Sequence, residues 1–256
     1  MSIAYNTLSG TSLFKEDILE SFVLHIPHSS THIPDYTGFD MEKVQVNIDQ
    51  LTDWATDEIF NVGGVEKIVT PFSRLFCDVE RFDDDMEPML QIGRGFYYTN
   101  GYDGSDLRAI DPVFKDLVQK EYYEPHHRLF YEKVKERLDK FGVCHILDCH
   151  SFNDIPVGTL LENPKSPDIC IGADPFHTPD YLLNYAFKYF ANAGYSVEIN
   201  NPYSGCIIPK PYFNENSNVK GLMVEFNKRT YMNDTVVDRD KVEHLRILMQ
   251  GFFENL

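Results

Sequence analysis

No apolar run in this chain of 256 residues approaches the roughly 20 needed to span a bilayer, and Met1 to Glu20 has neither a basic start nor an apolar core of signal-peptide length. Basic residues are scarce: Lys+Arg 23 against Asp+Glu 40 gives a net charge of -17. That disfavours a broad electrostatic grip on nucleic acid or on an anionic membrane. An anionic small substrate stays open, because a few arginines in one pocket can override the global field. The five cysteines (Cys77, Cys144, Cys149, Cys170, Cys206) are odd in number and form no CxxC pair. That disfavours a disulfide scaffold or a thiolate zinc knuckle and fits reduced thiols in a cytoplasm. There is no internal repeat, no low-complexity tract, and no GxSxG elbow of the serine-hydrolase kind. Gly93-Arg94-Gly95 neither follows a strand nor opens a helix as a phosphate loop must, and Asp83-Asp84-Asp85 lacks EF-hand spacing and reads as a solvated turn.

What is present is a globular composition, 43% hydrophobic and 25% charged, in which short β-branched runs alternate with longer helical patterns. This is the signature of a mixed α/β sheet in one domain, 1–256. Strands are expected over Phe22–Ile26, Glu66–Thr70, Val143–Asp148, Ile169–Gly172, Tyr195–Ile199 and Leu222–Phe226. Helices are expected over Met41–Val62, Pro112–Lys140, Pro179–Ala193 and Asp238–Phe253. Asp111-Pro112 pairs an N-cap acceptor with proline at the first helical position. Pro125 should kink the long second helix near His126 and His127. Gly194 can take the left-handed cap that ends the third.

Two histidines fall just beyond expected strands, in Leu24-His25-Ile26-Pro27-His28 and Leu147-Asp148-Cys149-His150. Ligands of open α/β sheets bind beyond the carboxyl ends of the strands, so His28 and His150 stand where a metal or substrate site belongs. Asp49, Asp53 and Asp57 recur at i, i+4 and i+8 of the expected first helix, and one of them could complete a site of two His and one carboxylate with a position left for water. His25 and His145 read as packed residues of the sheet, His32 and His177 as loop residues, and His244 as a helix-surface residue. Glu225 lies in the apolar run Leu222-Met223-Val224-Glu225-Phe226; a buried carboxylate needs a partner, either a salt bridge to Lys228 or Arg229 or a catalytic water. Arg74 and Arg81 follow the second strand and suit bidentate recognition of a carboxylate.

The ordered blocks HIPHSS (25–30), SRLFCDVER (73–81), EPHHRLF (124–130), ILDCHSF (146–152), DICIGA (168–173), GYSVEINNPYSG (194–205) and MVEFNKRTYM (223–232) resemble the N-formylglutamate amidohydrolase family over nearly the whole chain. The resemblance implies a zinc-carboxypeptidase-like (phosphorylase/hydrolase-like) α/β fold, with a central mixed, mostly parallel sheet flanked by helices. It also implies a metal-dependent hydrolase that cleaves N-formyl-L-glutamate to formate and glutamate at the end of a histidine-degradation route. Carried over by motif, His28, Asp53 and His150 are expected to ligate one zinc ion. Glu225 is expected to be the general base, with His127 as a second catalytic residue. Arg74, Arg81, Arg229 and Asn201 are expected to bind a small anionic N-acyl amino acid. Two positions depart from the family pattern: Asp-x-Asn-Arg reads Asp78-Val79-Glu80-Arg81, and Pro-Tyr-x-Gly-Gly reads Pro202-Tyr203-Ser204-Gly205-Cys206. Both spare the metal residues and bear on the substrate. A zinc carboxypeptidase or peptide amidase, or an inactive ligand-binding relative, are the alternative readings.

Overall fold

The computed structural model describes residues 5–6, 12–13, 15–154 and 166–256. A short pairing of β1 (Tyr5–Asn6) with β2 (Ser12–Leu13) precedes α1 (Lys15–Glu20). The central sheet has six strands: β3 (Phe22–Ile26), β4 (Glu66–Val69), β5 (Cys144–Phe152), β6 (Ile169–Gly172), β7 (Val197–Ile199) and β8 (Val219–Asn227). Their order is β4-β3-β5-β8-β6-β7, parallel throughout except where β6 runs antiparallel to β8. β9 (Met232–Asn233) and β10 (Val236–Val237) form a small hairpin. The helices are α2 (Met41–Leu51), α3 (Thr56–Ile59), α4 (Pro112–Val118), α5 (Glu124–Phe141), α6 (Asp180–Asn192) and α7 (Arg239–Glu254). None of the described helices is long and apolar enough to cross a membrane.

Alternation along the strands gives the sheet two distinct faces. On one, Phe22, Leu24 and Ile26 of β3, Leu147 of β5 and Leu222, Val224 and Phe226 of β8 pack against Phe190 of α6 and Leu245, Met249 and Phe252 of α7. The other face carries Val23, Cys144, Ile146 and Val219, packed beneath Phe130 and Val134 of α5. Toward the carboxyl ends of the strands this second face turns polar, with His25 beside Asp148 and His150 beside Glu225 in the ladder. A separate cluster that includes Ile48, Leu75, Phe76, Tyr98 and Leu107 walls that end in.

Three elements differ from the sequence expectation, and each difference shapes the site. Strand β5 does not stop at Asp148 but continues to Phe152, because β8 runs on beside it after β3 has ended. His150 is therefore a strand residue. The expected helix over 41–62 breaks: Thr52 turns extended and caps α2, and Ala55 is left-handed at φ 58 before α3 starts. Asp53 sits in this break, so the three aspartates share no helical face. The expected helix over 112–140 opens at Gln119–Tyr123 into a π-turn, with the Glu124 N–H bonded to Gln119 O, just ahead of Pro125. Proline cannot donate to the preceding turn, and the wider turn takes up the missing bond. The expected caps form: Asp111 accepts from the backbone N–H groups of Val113 and Phe114, and Gly194 is left-handed at φ 94.

Candidate functional site

Chain breaks and strand ends bring His28, Asp53 and His150 together. His28 lies two residues past β3, and its carbonyl accepts the Asp53 N–H (3.0 Å), which pins the helix break to the end of the sheet. His150 Nδ1 is 3.1 Å and His28 Nδ1 3.6 Å from Asp53 Oδ2. One nitrogen from each ring and one carboxylate oxygen lie within 4.8 Å of one another. All three residues are buried, and His28 Nδ1 has no hydrogen-bond partner among the described residues. Burial opposes ionisation of Asp53, yet the hydrogen bond to His150 and the nearby His28 ring hold its carboxyl far below the usual range. Two imidazole nitrogens and an ionised carboxylate converging on one point, one nitrogen with nothing to bond, are a donor set that fits a divalent metal. Asp49 and Asp57 point elsewhere: Asp49 accepts from Gln45, and Asp57 is exposed.

The far nitrogen of each ring is anchored, as metal-ligating histidines require. Asp78 Oδ1 lies 2.8 Å from His28 Nε2, and Asp78 Oδ2 accepts from Tyr98 Oη (2.8 Å) and from Nε and Nη2 of Arg74 (3.2 and 2.9 Å). Burial disfavours the Asp78 charge, but Arg74, His28 and Arg81 hold it well below the carboxylate range. His150 Nε2 meets Asp148 Oδ1 at 3.0 Å and Glu80 Oε2 at 3.1 Å. Sequence reasoning missed Asp78, Tyr98 and Asp148 as partners of the two histidines. Asp148 could have been found from strand alternation, since residues two apart share a face.

Glu225 is neighbour to His150 across the ladder and lines the same cavity of about 1020 Å³. Among the described residues no basic side chain forms an ion pair with it: Lys228 Nζ donates to Gln50 O (3.4 Å), and Arg229 is held by Asp154 and Asp168. Burial pushes the Glu225 carboxyl up to about 8. His127 lines the cavity with its ring against Tyr123 (centroids 4.2 Å) and its Nε2 unpartnered; burial lowers it to about 4. Arg74 and Arg81 also line the cavity, both on the Asp78 side. Arg229 and Asn201 do not: Arg229 is occupied at the chain surface, and Asn201 is exposed and bonded to Glu198. Two buried cations that the sequence did not offer as substrate ligands do line it, Arg94 and Lys228, and neither has a carboxylate partner among the described residues. Arg94 Nε lacks any hydrogen bond, and burial lowers Lys228 to about 8. The signal for Arg94 was its flanking glycines: Gly93 is left-handed at φ 72, and a Cβ there would sit 1.9 Å from Asn100 Oδ1. Cys206 Sγ lies over Gly221, where a Cβ would come within 2.4 Å of it, so the extra side chain at 206 is absorbed by a bare position on β8.

Comparison with known proteins bears on the family and the fold. The sequence model for the N-formylglutamate amidohydrolase family matches residues 20–232. The N-formylglutamate deformylase of Pseudomonas aeruginosa is 23% identical over 248 residues, covering 91% of each chain. The crystal structure of an N-formylglutamate amidohydrolase from Ralstonia eutropha superposes with a TM-score of 0.78 at 18% identity, over 92% of this chain and 94% of that one. A gene product of Agrobacterium tumefaciens superposes at 0.63 with 16% identity, over 94% of this chain and 93% of that one.

Proposed function

The chain belongs to the N-formylglutamate amidohydrolase family, and from that premise we propose that it is a zinc-dependent amidohydrolase acting on an N-acyl amino acid, with N-formyl-L-glutamate as the first substrate to test. The observation that carries the reading is the convergence of His28, Asp53 and His150 on one point beside Glu225, in the wall of one cavity. Those three residues would hold the ion, which when bound supplies a Lewis acid for the scissile carbonyl. Glu225 takes a proton from the attacking water and delivers it to the leaving amine nitrogen. A carboxyl raised to about 8 is poised near neutrality for transfer in both directions. Arg94 and Lys228, buried cations without acidic partners, suit the two carboxylates of an acylated acidic amino acid better than Arg229 does. Arg74 and Arg81 back them from the Asp78 side, and His127, neutral at physiological pH, offers a ring nitrogen to the substrate.

The cavity is far larger than one formylated amino acid, and Phe82, Met89, Tyr131 and Phe213 line it. This favours, as a second reading, a bulkier acyl group or a short peptide. Formate release from N-formyl-L-glutamate, beside amine release from a panel of longer N-acyl amino acids and dipeptides, separates the two. In either case a chelator should abolish turnover, and Glu225→Gln should lower kcat by about 10²–10⁴-fold with metal content unchanged. Full turnover in that variant, or in metal-free protein, overturns the mechanism.

A further inference from the structure

We propose that the chain carries a second divalent-cation site, formed by His25 Nδ1 and the carboxylates of Glu80 and Asp148. The inference does not rest on the proposed function, although His150, whose Nε2 bonds to Asp148, lies between the two sites. Four contacts link these groups to one another and to His150: His25 Nδ1 is 3.1 Å from Glu80 Oε1 and 3.2 Å from Asp148 Oδ1, and His150 Nε2 is 3.1 Å from Glu80 Oε2 and 3.0 Å from Asp148 Oδ1. Ligands at zinc-type bond lengths around a tetrahedral ion stand about 3.3 Å from one another. The two edges that His25 makes with the carboxylates are already close to that spacing.

Asp148 Oδ1 is hydrogen-bonded to His25 Nδ1 and to His150 Nε2, so a cation would take the place of the proton between His25 and Asp148. His25 Nε2 faces His126 Nε2 at 2.9 Å, so one of the two must donate. With the proton on His25 Nε2, its Nδ1 presents a lone pair to the two carboxylates. His28 is built the same way, with Nε2 tied to Asp78 and Nδ1 turned toward an acidic group. Asp148 is oriented from behind, since the Ile207 N–H donates to its Oδ2 (3.0 Å) and leaves Oδ1 in the cluster. Glu80 Oε1 is buried and makes no hydrogen bond despite its closeness to His25, so that N–H direction is not aimed at it. Among the described residues no lysine or arginine pairs with Glu80 or Asp148; their ion pairs are to His25 and His150 alone. Two adjacent buried carboxylates without a fixed cation are costly, and an ion between them removes that cost. Glu80, Asp148 and His150 all line the cavity, which gives the ion a way in. Glu80 is also the position at which the chain puts a carboxylate where the family pattern has an amide.

Zinc is the probe. Protein loaded with zinc and dialysed should hold two ions per chain by elemental analysis, and Glu80→Gln should hold one. Anomalous diffraction at the zinc edge from crystals of the unaltered protein should show two peaks, one flanked by His28 and Asp53 and the other by His25 and Glu80. This second measurement decides the matter even if the variant does not fold. A single ion at His28, Asp53 and His150 overturns the second site and leaves the proposed function standing. Two ions in both parent and Glu80→Gln, with no peak beside His25, also overturn it. No ion in the parent overturns both.

Discussion

Glu225 shows how a single carboxyl can report on the site before any substrate is known. Burial raises it from 4.5 to about 8 in the folded chain. Between those two values the folded protein keeps a proton that the unfolded chain releases. Stability from this group is therefore full below about 4.5 and is lost as pH rises through 8. At 1.36 kcal/mol for each pH unit the loss is of the order of 3–5 kcal/mol. Urea unfolding of metal-free protein near pH 5 and pH 8 should show the parent losing a few kcal/mol relative to Glu225→Gln, whose amide does not titrate. A parent-to-variant difference that stays constant across that range means the carboxyl is not raised. The same residue scale explains why Arg229 was a misleading candidate. Its sequence context matches a basic motif position, but the nearby carboxylates of Asp154 and Asp168 satisfy it at the surface.

At the scale of elements, the fit of loop to strand is set where β8 lacks a side chain. Cys206 Sγ occupies the space a Cβ on Gly221 would fill, 2.4 Å away, with Ile208 Cδ1 at 2.8 Å. Gly221→Ala should destabilise by about 1–3 kcal/mol through overpacking and shift the loop that carries Tyr203 along the cavity. Adding Cys206→Gly should recover part of that loss, a coupling that a double-mutant cycle by chemical denaturation measures; strict additivity would show that the two positions do not compete for space. Elements such as β3, β6 and α6 were legible in the sequence because their apolar runs have clear ends in Ser, Pro or Gly. The break between α2 and α3 was not, because Leu51, Trp54, Ala55 and Ile59 continue a helical period across it. What breaks the helix is tertiary: the Asp53 N–H bonds to His28 O, a partner far away in the chain. His28, His150 and Glu225 were legible from strand-end position and from a charge inside an apolar run. Asp78 was not, since its partners Arg74, Tyr98 and His28 come together only when the loop after β4 folds over the sheet. His177, expected in a loop, is buried for a similar reason: its ring joins Val219 O to the Asn214 N–H.

For the whole molecule, the proposed metal and the fold would be energetically linked. Much of the negative charge lies at the surface in exposed pairs such as Lys120–Asp116 and Arg239–Glu58, which contribute little. Asp53, Asp78, Glu80 and Asp148 are different, because they gather at the carboxyl end of the sheet around imidazoles. A cation bound there in the folded state has no preformed counterpart in the unfolded chain, so binding adds directly to stability. Free zinc at a hundred times its dissociation constant adds about 2.7 kcal/mol, which for a chain of this size raises Tm by roughly 5–10 °C. Scanning calorimetry of chelated and zinc-loaded protein should show that rise, and chelator should reverse it. His28→Ala removes the Nδ1 donor and should shrink the shift, because the remaining ligands hold the ion less tightly. An undiminished shift in that variant would place the stabilising ion away from His28, Asp53 and His150.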